Sequence, residues 1–191
     1  MARTQAADYE ARREAIVEKA ADLFAEQGFL GASVSDIARA CQTSKSLLYH
    51  YYPSKEDVLY AVMASHIDRL VDDVENIAEQ SSPRLQLREL LRLFMSHYVG
   101  AASRQKVLLN DLDKLPSDKR GIIVAKQRRI IDAVQNLLIA NEPKLASKKG
   151  RARAKTMLVF GMMNWTSNWY DPSGSVSPLE LAEMVFEMAL S

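Results

Sequence analysis

Two short stretches decide the fold: Ser33-Val34-Ser35-Asp36-Ile37-Ala38-Arg39-Ala40 and Ser44-Lys45-Ser46-Leu47-Leu48-Tyr49-His50-Tyr51-Tyr52, joined by Cys41-Gln42-Thr43. Ser33 with Asp36 is a Ser-x-x-Asp pair, in which side chains satisfy the orphan amides at a helix start. The spacing therefore predicts a helix from Ser33 to about Ala40 with Ile37 and Ala38 facing inward. A second helix is expected from Ser44. It must stop by Tyr52, because Pro53 disfavours helical geometry in the residue before it. Two short helices joined by three residues make a helix-turn-helix over about 33–52.

In such a motif the second helix enters the major groove of DNA, about 12 Å wide, and the first braces it. Leu48 is the expected inward residue, packed on Ile37 and the preceding helix. Thr43, Lys45, Ser46, Leu47, Tyr49 and His50 are then left toward DNA, and Ser33, Ser44 and Tyr51 are expected as DNA-binding residues beside them. Hydroxyls, one cation and aromatic rings suit phosphate and groove contacts. Lys55 falls in the first turn of the next helix, where free amides favour an anion, and it reads either as a phosphate clamp or as a solvated surface lysine.

Working outward, a first helix is expected from about Asp8 to Gln27, with Ile16, Ala20, Leu23 and Phe24 as its apolar stripe and Gly28 as its stop. Ser54 and Asp57 cap a long fourth helix carrying Leu59, Met63, His66, Leu70, Val74 and Ile77. Ser82-Pro83 opens a fifth, a shorter one holds Val107 and Leu108, and another starts near Asp118. The segment from Arg151 to Tyr170 is apolar all round between Met157 and Met163, so burial on two sides is expected, one of them against a partner. Ser177, Pro178 and Glu180 open the last helix, in which Leu181, Val185, Met188 and Ala189 give an apolar face. The reading is all-α with about nine helices: residues 8–55 as a DNA-binding domain and 56–191 as a ligand-binding and dimerisation domain.

Composition limits the function classes. Seven glycines and six prolines in 191 residues fit helices with short connections, and no sheet is expected. Net charge is only +1, and residues 1–60 hold seven Lys/Arg against nine Asp/Glu, so DNA affinity has to come from local placement of charge. The single cysteine, Cys41, rules out an intramolecular disulfide, and it is expected as a small covered residue with no redox role. Neither a signal peptide nor a membrane-spanning run is visible, so a soluble cytoplasmic protein is expected. His50, His66 and His97 show no metal spacing, and no nucleophile elbow, phosphate loop or dinucleotide fingerprint occurs. An enzyme is not expected, nor a cofactor or metal. His66, on an apolar stripe, is expected as a core histidine with one satisfied hydrogen bond.

The stretch Ala20-Ala21-Asp22-Leu23-Phe24-Ala25-Glu26-Gln27-Gly28-Phe29, then Ser33 to Ala38, then Ser44 to Lys55, resembles the N-terminal signature of the TetR family of transcriptional regulators. The resemblance implies a three-helix DNA-binding module, a homodimer formed through the last two helices, palindromic operator DNA as partner, and repression relieved by a small-molecule effector. Two residues depart from the family pattern: Gln42 stands where the turn most often has Gly, and Ser46 where another Gly is frequent. A non-Gly residue at positive φ costs about 1–3 kcal/mol, which a packed module tolerates.

Farther on, Phe160-Gly161-Met162-Met163-Asn164-Trp165, Asn168-Trp169-Tyr170 and Asp171-Pro172-Ser173-Gly174 resemble the members that answer to acyl-coenzyme A thioesters. An acyl-CoA needs an apolar slot and cations for its phosphates. The candidates are Leu108, Phe160, Met163 and Trp169 for the slot, with Arg104, Arg128 and Arg129 for the phosphates and the cluster from Lys148 to Lys155 as second choice. A Met and aromatic stripe on helices is more often core or dimer interface than a ligand box. Met157, Trp165, Val185 and Met188 are the interface candidates. A regulator of efflux sensing a hydrophobic, drug-like cation is the competing reading, and it calls for buried acids such as Asp111 or Glu89.

Overall fold

The computed structural model describes residues 2–77, 82–147 and 150–191, with side chains from Ala7 onward. Nine α-helices and no strand occur among the described residues. The chain forms two compact units. The first holds the N-terminal residues up to His66 together with Ser103–Ile123; the second holds Ile67–Ala102 and Val124–Ser191.

In the first unit, α1 (Ala2–Gly31) begins six residues before the expected Asp8, since Ala2, Ala6 and Ala7 favour helix and no Pro or Gly interrupts them. Its helical path breaks where the sequence indicated, at Gly28 with φ 73° and ψ 161°, a conformation suited to glycine. One further turn then leads to Ala32, whose amide donates to the Gly28 carbonyl at 3.2 Å. Ile16, Val17, Ala20, Ala21 and Phe24 form the buried stripe of α1, while Leu23 lies half-exposed at its edge. Next come α2 (Val34–Ala40), α3 (Lys45–Tyr51) and α4 (Lys55–Asn76), and α2 packs against both α1 and α3.

Residues 103–123 complete this unit by contributing most of α6 (Ala102–Asn110), a 3-10 turn at Leu112–Lys114 and the start of α7 (Ser117–Asn141). Polar contacts fasten them. Ser103 donates to Asp22 at 2.8 Å, Arg104 pairs with Glu14 at 2.5 Å, and Lys119 pairs with Asp57. The Asp111 carboxylate accepts the Phe29 amide at 3.5 Å, just after the break in α1. Its burial pushes the Asp111 pKa above the ordinary carboxylate value, an effect the Phe29 amide opposes. His66 lies fully buried with Nε2 2.7 Å from the Gln105 amide oxygen, the satisfied core histidine its position on the stripe called for.

The second unit is built on α5 (Pro83–Gly100) packed along α9 (Pro178–Leu190), with α8 (Arg151–Trp165) against α9. Leu87, Leu90, Leu91, Phe94 and Met95 of α5 are fully buried, and Arg88 Nε donates to both carboxylate oxygens of Glu183 at 2.8 Å. α8 divides as its all-round apolarity implied. Thr156, Val159, Phe160 and Met163 face inward, whereas Met157, Leu158 and Trp165 are exposed. α9 likewise turns Leu181, Ala182, Val185, Phe186 and Ala189 inward and leaves Leu179, Met184 and Met188 outside.

Candidate nucleic-acid interface

The helix-turn-helix is assembled by its caps. Ser33 donates its amide (3.0 Å) and hydroxyl (2.5 Å) to the Asp36 carboxylate, and its Oγ accepts the Asp36 amide at 3.2 Å. The Ser33 hydrogen bonds, hydroxyl first, hold the Asp36 pKa below the usual carboxylate range. Ser33, expected as a DNA-binding residue, is engaged in this cap. Ser44 opens α3 the same way, its Oγ accepting the Leu47 amide at 3.1 Å.

The turn between the helices closes α2 with a Schellman pattern: the Thr43 amide donates to Ala38 O at 2.9 Å and the Gln42 amide to Arg39 O at 3.0 Å. That pattern requires a left-handed residue at its centre, and Gln42 sits there at φ 51°. The sequence departure at Gln42 is thus a real backbone cost, carried by the two hydrogen bonds and by the packing of α2. Cys41, expected to be covered, is half-buried instead, because it lines a shallow cleft of about 130 Å³ with Arg12, Ile16, Thr43 and Leu47. Burial raises its thiol pKa, opposed by Lys19, which keeps it a poor nucleophile.

Leu48 is fully buried and is the single buried residue of α3. Lys45, Ser46, Leu47, Tyr49 and His50 are exposed, and Thr43 and Tyr51 are half-buried at the two ends of that face. One helix face therefore presents one cation, hydroxyls and aromatic rings. Lys55 is half-buried with Nζ 4.3 Å from the centroid of the Phe29 ring. The ring steadies the lysine by a cation–π contact at the first turn of α4.

Beyond these residues lies an aromatic cluster that the sequence reading passed over. Tyr9 of α1 lies 4.8 Å from Tyr51 and 6.4 Å from His50, ring centre to ring centre. Arg13, one turn farther along α1, lies over Tyr9 at 5.9 Å and over Tyr52 at 5.3 Å. Tyr9 and Arg13 at i, i+4 were the available signal, since such pairs share a helix face. An open cleft of about 590 Å³ runs beside this cluster, lined by Glu10, Glu14, Asp57 and Tyr60 among others. The three carboxylates named are all paired, Glu10 with Arg13, Glu14 with Arg104 and Asp57 with Lys119.

The proposed effector residues are divided between the two units. Arg104 and Leu108 belong to the first unit, and Arg128, Phe160, Met163 and Trp169 to the second. Arg104 is buried and bound to Glu14 and, at 3.2 Å, to Ser65, so its charge is satisfied within the fold. Phe160 and Met163 are buried, Phe160 stacking on Phe94 at 6.4 Å, whereas Trp169 is exposed against Tyr170. Arg128 is exposed, and Arg129 pairs with Glu75 at 2.5 Å. Lys148 and Lys149 lie outside the described residues. Of the acids that a drug-binding reading requires, Asp111 is spent on Phe29 and Glu89 is exposed. Among the interface candidates Met157, Trp165 and Met188 are exposed, but Val185 is part of its own protomer's core. No group able to hold a metal and no helix long and apolar enough to cross a membrane occurs among the described residues.

Comparison with known proteins agrees with this arrangement. The family model for bacterial regulatory proteins of the tetR family matches residues 16–62, and that for the tetracyclin repressor-like C-terminal domain matches residues 80–191. The chain belongs to the TetR family of transcriptional regulators. The proteins of this family are DNA-binding, non-enzymatic transcriptional regulators. It is 42% identical to a TetR-family regulator from Bordetella parapertussis 12822, with 94% of each chain covered and a TM-score of 0.89. It is 26% identical over 185 residues to the transcriptional repressor KstR2 of Mycolicibacterium smegmatis, covering 94% of this chain and 89% of that one. AibR, solved with isovaleryl coenzyme A and operator DNA, is 25% identical over 93% of this chain and 97% of its own, with a TM-score of 0.78. Two further curated regulators match over 81 and 83 residues, where this chain spans only 28% and 41% of their length.

Proposed function

We propose that this TetR-family protein is a repressor that binds palindromic operator DNA as a homodimer and is released by an acyl-CoA thioester. The DNA half of the reading rests on the exposed face of α3, where Lys45, Ser46, Tyr49 and His50 stand out over the buried Leu48. A homodimer fits the outward apolar residues of α8 and α9, namely Met157, Leu158, Trp165, Leu179, Met184 and Met188. Large exposed apolar patches of this kind mark interfaces.

The observation that carries the effector class is the likeness to AibR along nearly the whole chain, since AibR was solved with isovaleryl coenzyme A. Phe160 and Met163, buried in the second unit, would form the acyl slot, and Arg128 would meet phosphate. Residues of both units belong to α4, which makes it the path by which a bound effector alters α3.

The test is thermal denaturation of the purified protein with isovaleryl-CoA, longer acyl-CoAs, the matching free acids, coenzyme A alone and cationic dyes. A ligand that favours the folded state raises the melting temperature, by about 2.7 kcal/mol of stabilisation at a hundred times Kd. Thioesters are expected to stabilise while free acids and dyes do not, and the same thioesters are expected to release bound DNA. Stabilisation by dyes alone would replace the acyl-CoA reading with the efflux one.

A further inference from the structure

The last turn of α3 is held by contacts that DNA recognition by itself does not require. Leu48 anchors the middle of this seven-residue helix, and His50 and Tyr51 lie beyond that anchor. Tyr9 reaches them from α1. Its ring is tilted 40° to Tyr51 at 4.8 Å and stands edge-on to His50 at 6.4 Å, and His50 and Tyr51 meet edge-on at 5.5 Å. All three pairs fall in the range where aromatic rings attract each other in defined orientations. Tyr9 is itself backed by Arg13, whose guanidinium also lies over Tyr52.

We propose that Tyr9 is a positioning residue for DNA reading: without touching DNA, its ring fixes His50 and Tyr51 in the orientation in which they meet the groove. The N-terminal turns of α1 thereby set operator affinity and sequence preference. This rests on α3 being the reading helix. The chemistry follows from how narrowly a recognising side chain has to be held, within about 0.5 Å and 10–20° of its productive geometry. A short helix end braced only by its own backbone does not supply that restraint, and three mutually packed rings do.

The probe is a DNA duplex enriched from a random-sequence library by the wild-type protein, with affinity followed by fluorescence anisotropy at several salt concentrations. Tyr9→Ala is expected to weaken binding about tenfold, the loss of two ring pairs corresponding to about 1.4 kcal/mol. Its salt dependence should match wild type, because no phosphate contact is removed. Repeating the enrichment with Tyr9→Ala should yield a relaxed preference at one pair of symmetric positions. Tyr9→Phe keeps the ring and should bind within about twofold of wild type. If Tyr9→Ala melts the first unit, Tyr9→Leu replaces it under the same criteria. Wild-type affinity in Tyr9→Ala would overturn the proposal. So would an equal loss in Tyr9→Phe or a shallower salt dependence, either of which would make the hydroxyl a direct DNA contact. A wild-type protein that enriches no sequence would overturn the reading of α3 itself, and that outcome is seen before any variant is made.

Discussion

Replacing Leu48 with alanine tests how the reading helix is held in place. Leu48 is 0% exposed and is the one buried residue of α3. Its truncation removes three apolar carbons, worth roughly 2.5 kcal/mol at about 0.8 kcal/mol each, and the residual cavity brings the cost to about 3–4 kcal/mol. Apart from the Tyr9 ring against its last turn, little else opposes unravelling, because seven-residue helices are marginal in water without tertiary packing. Two backbone bonds converge on this residue, its amide to Ser44 O at 3.0 Å and the Tyr52 amide to its own carbonyl at 2.9 Å. Hydrogen exchange of the amides of residues 48–52 is therefore expected to accelerate by about two to three orders of magnitude, at about 1.4 kcal/mol per factor of ten. Exchange in α5 and α9, which belong to the second unit, should stay unchanged. Operator binding should fall in parallel. Leu47→Ala is the control, one residue away but exposed, with an expected stability change within about 0.5 kcal/mol. Unchanged exchange over residues 48–52 in Leu48→Ala would refute the reasoning, and so would an equal effect from Leu47→Ala.

Three further predictions follow from particular residues. Gln42→Gly relieves the left-handed strain at φ 51° and should stabilise the protein by up to about 1 kcal/mol, or about 2–4 °C, in differential scanning calorimetry; a lower melting temperature would mean that the Gln42 side chain holds the turn. Gly161→Arg adds a side chain on the outward face of α8, where a Cβ meets nothing within 4 Å, so the protomer should keep its helicity while sedimentation velocity shows the dimer replaced by monomer; a persisting dimer would remove that face from the interface. Lys119 and then Ser54 hold the Asp57 pKa below the ordinary carboxylate value, so the ionised form is favoured in the folded state. That stabilisation is present above the ordinary carboxylate pKa and is lost as the pH falls through the lower folded one. Asp111, raised by burial, has the opposite sign and loses its contribution as pH rises. The acid limb of a urea-midpoint titration should accordingly be less steep in Asp57→Asn than in wild type, and superposition of the two curves would count against the Lys119–Asp57 pair.

The parts of the fold that were legible in the sequence are those that neighbouring residues decide. Ser33 with Asp36 and Ser177 with Glu180 both close as reciprocal capping boxes, and Ser54 accepts the Asp57 amide at 3.0 Å. Gly28 ends the helical path of α1 and Leu48 turns inward, because backbone conformation and helical period act within a few residues. The first turns of α1 were missed for lack of a stop or start signal before Asp8. The membership of residues 103–123 in the first unit was not legible at all. It depends on Arg104 with Glu14, Ser103 with Asp22 and Asp111 with Phe29, partners 90, 81 and 82 positions apart.

The same distinction explains why the exposed face of α3 was easier to read from the sequence than a set of effector residues. A face of α3 is defined once its inward residue is known, since the helical period then assigns every other side chain. Arginine offers no such rule. In sequence, Arg104 and Arg128 are equivalent candidates for a phosphate, but Arg104 is buried against Glu14 and Arg128 is exposed. Neutralising a cation inside the fold removes what a phosphate would bind, so the position of an acid ninety residues away decides between structural and ligand roles. Trp169 makes the same point for apolar groups. Its neighbours close into a local loop, with Tyr170 Oη donating to Val176 O at 2.8 Å and Asp171 accepting the Ser173 amide at 2.9 Å. That loop carries the indole outward instead of into the core with Phe160 and Met163. An effector site in the second unit therefore has to be sought among its inward residues on α5, α7 and α8, and Phe160 with Phe94 is the pair from which to begin.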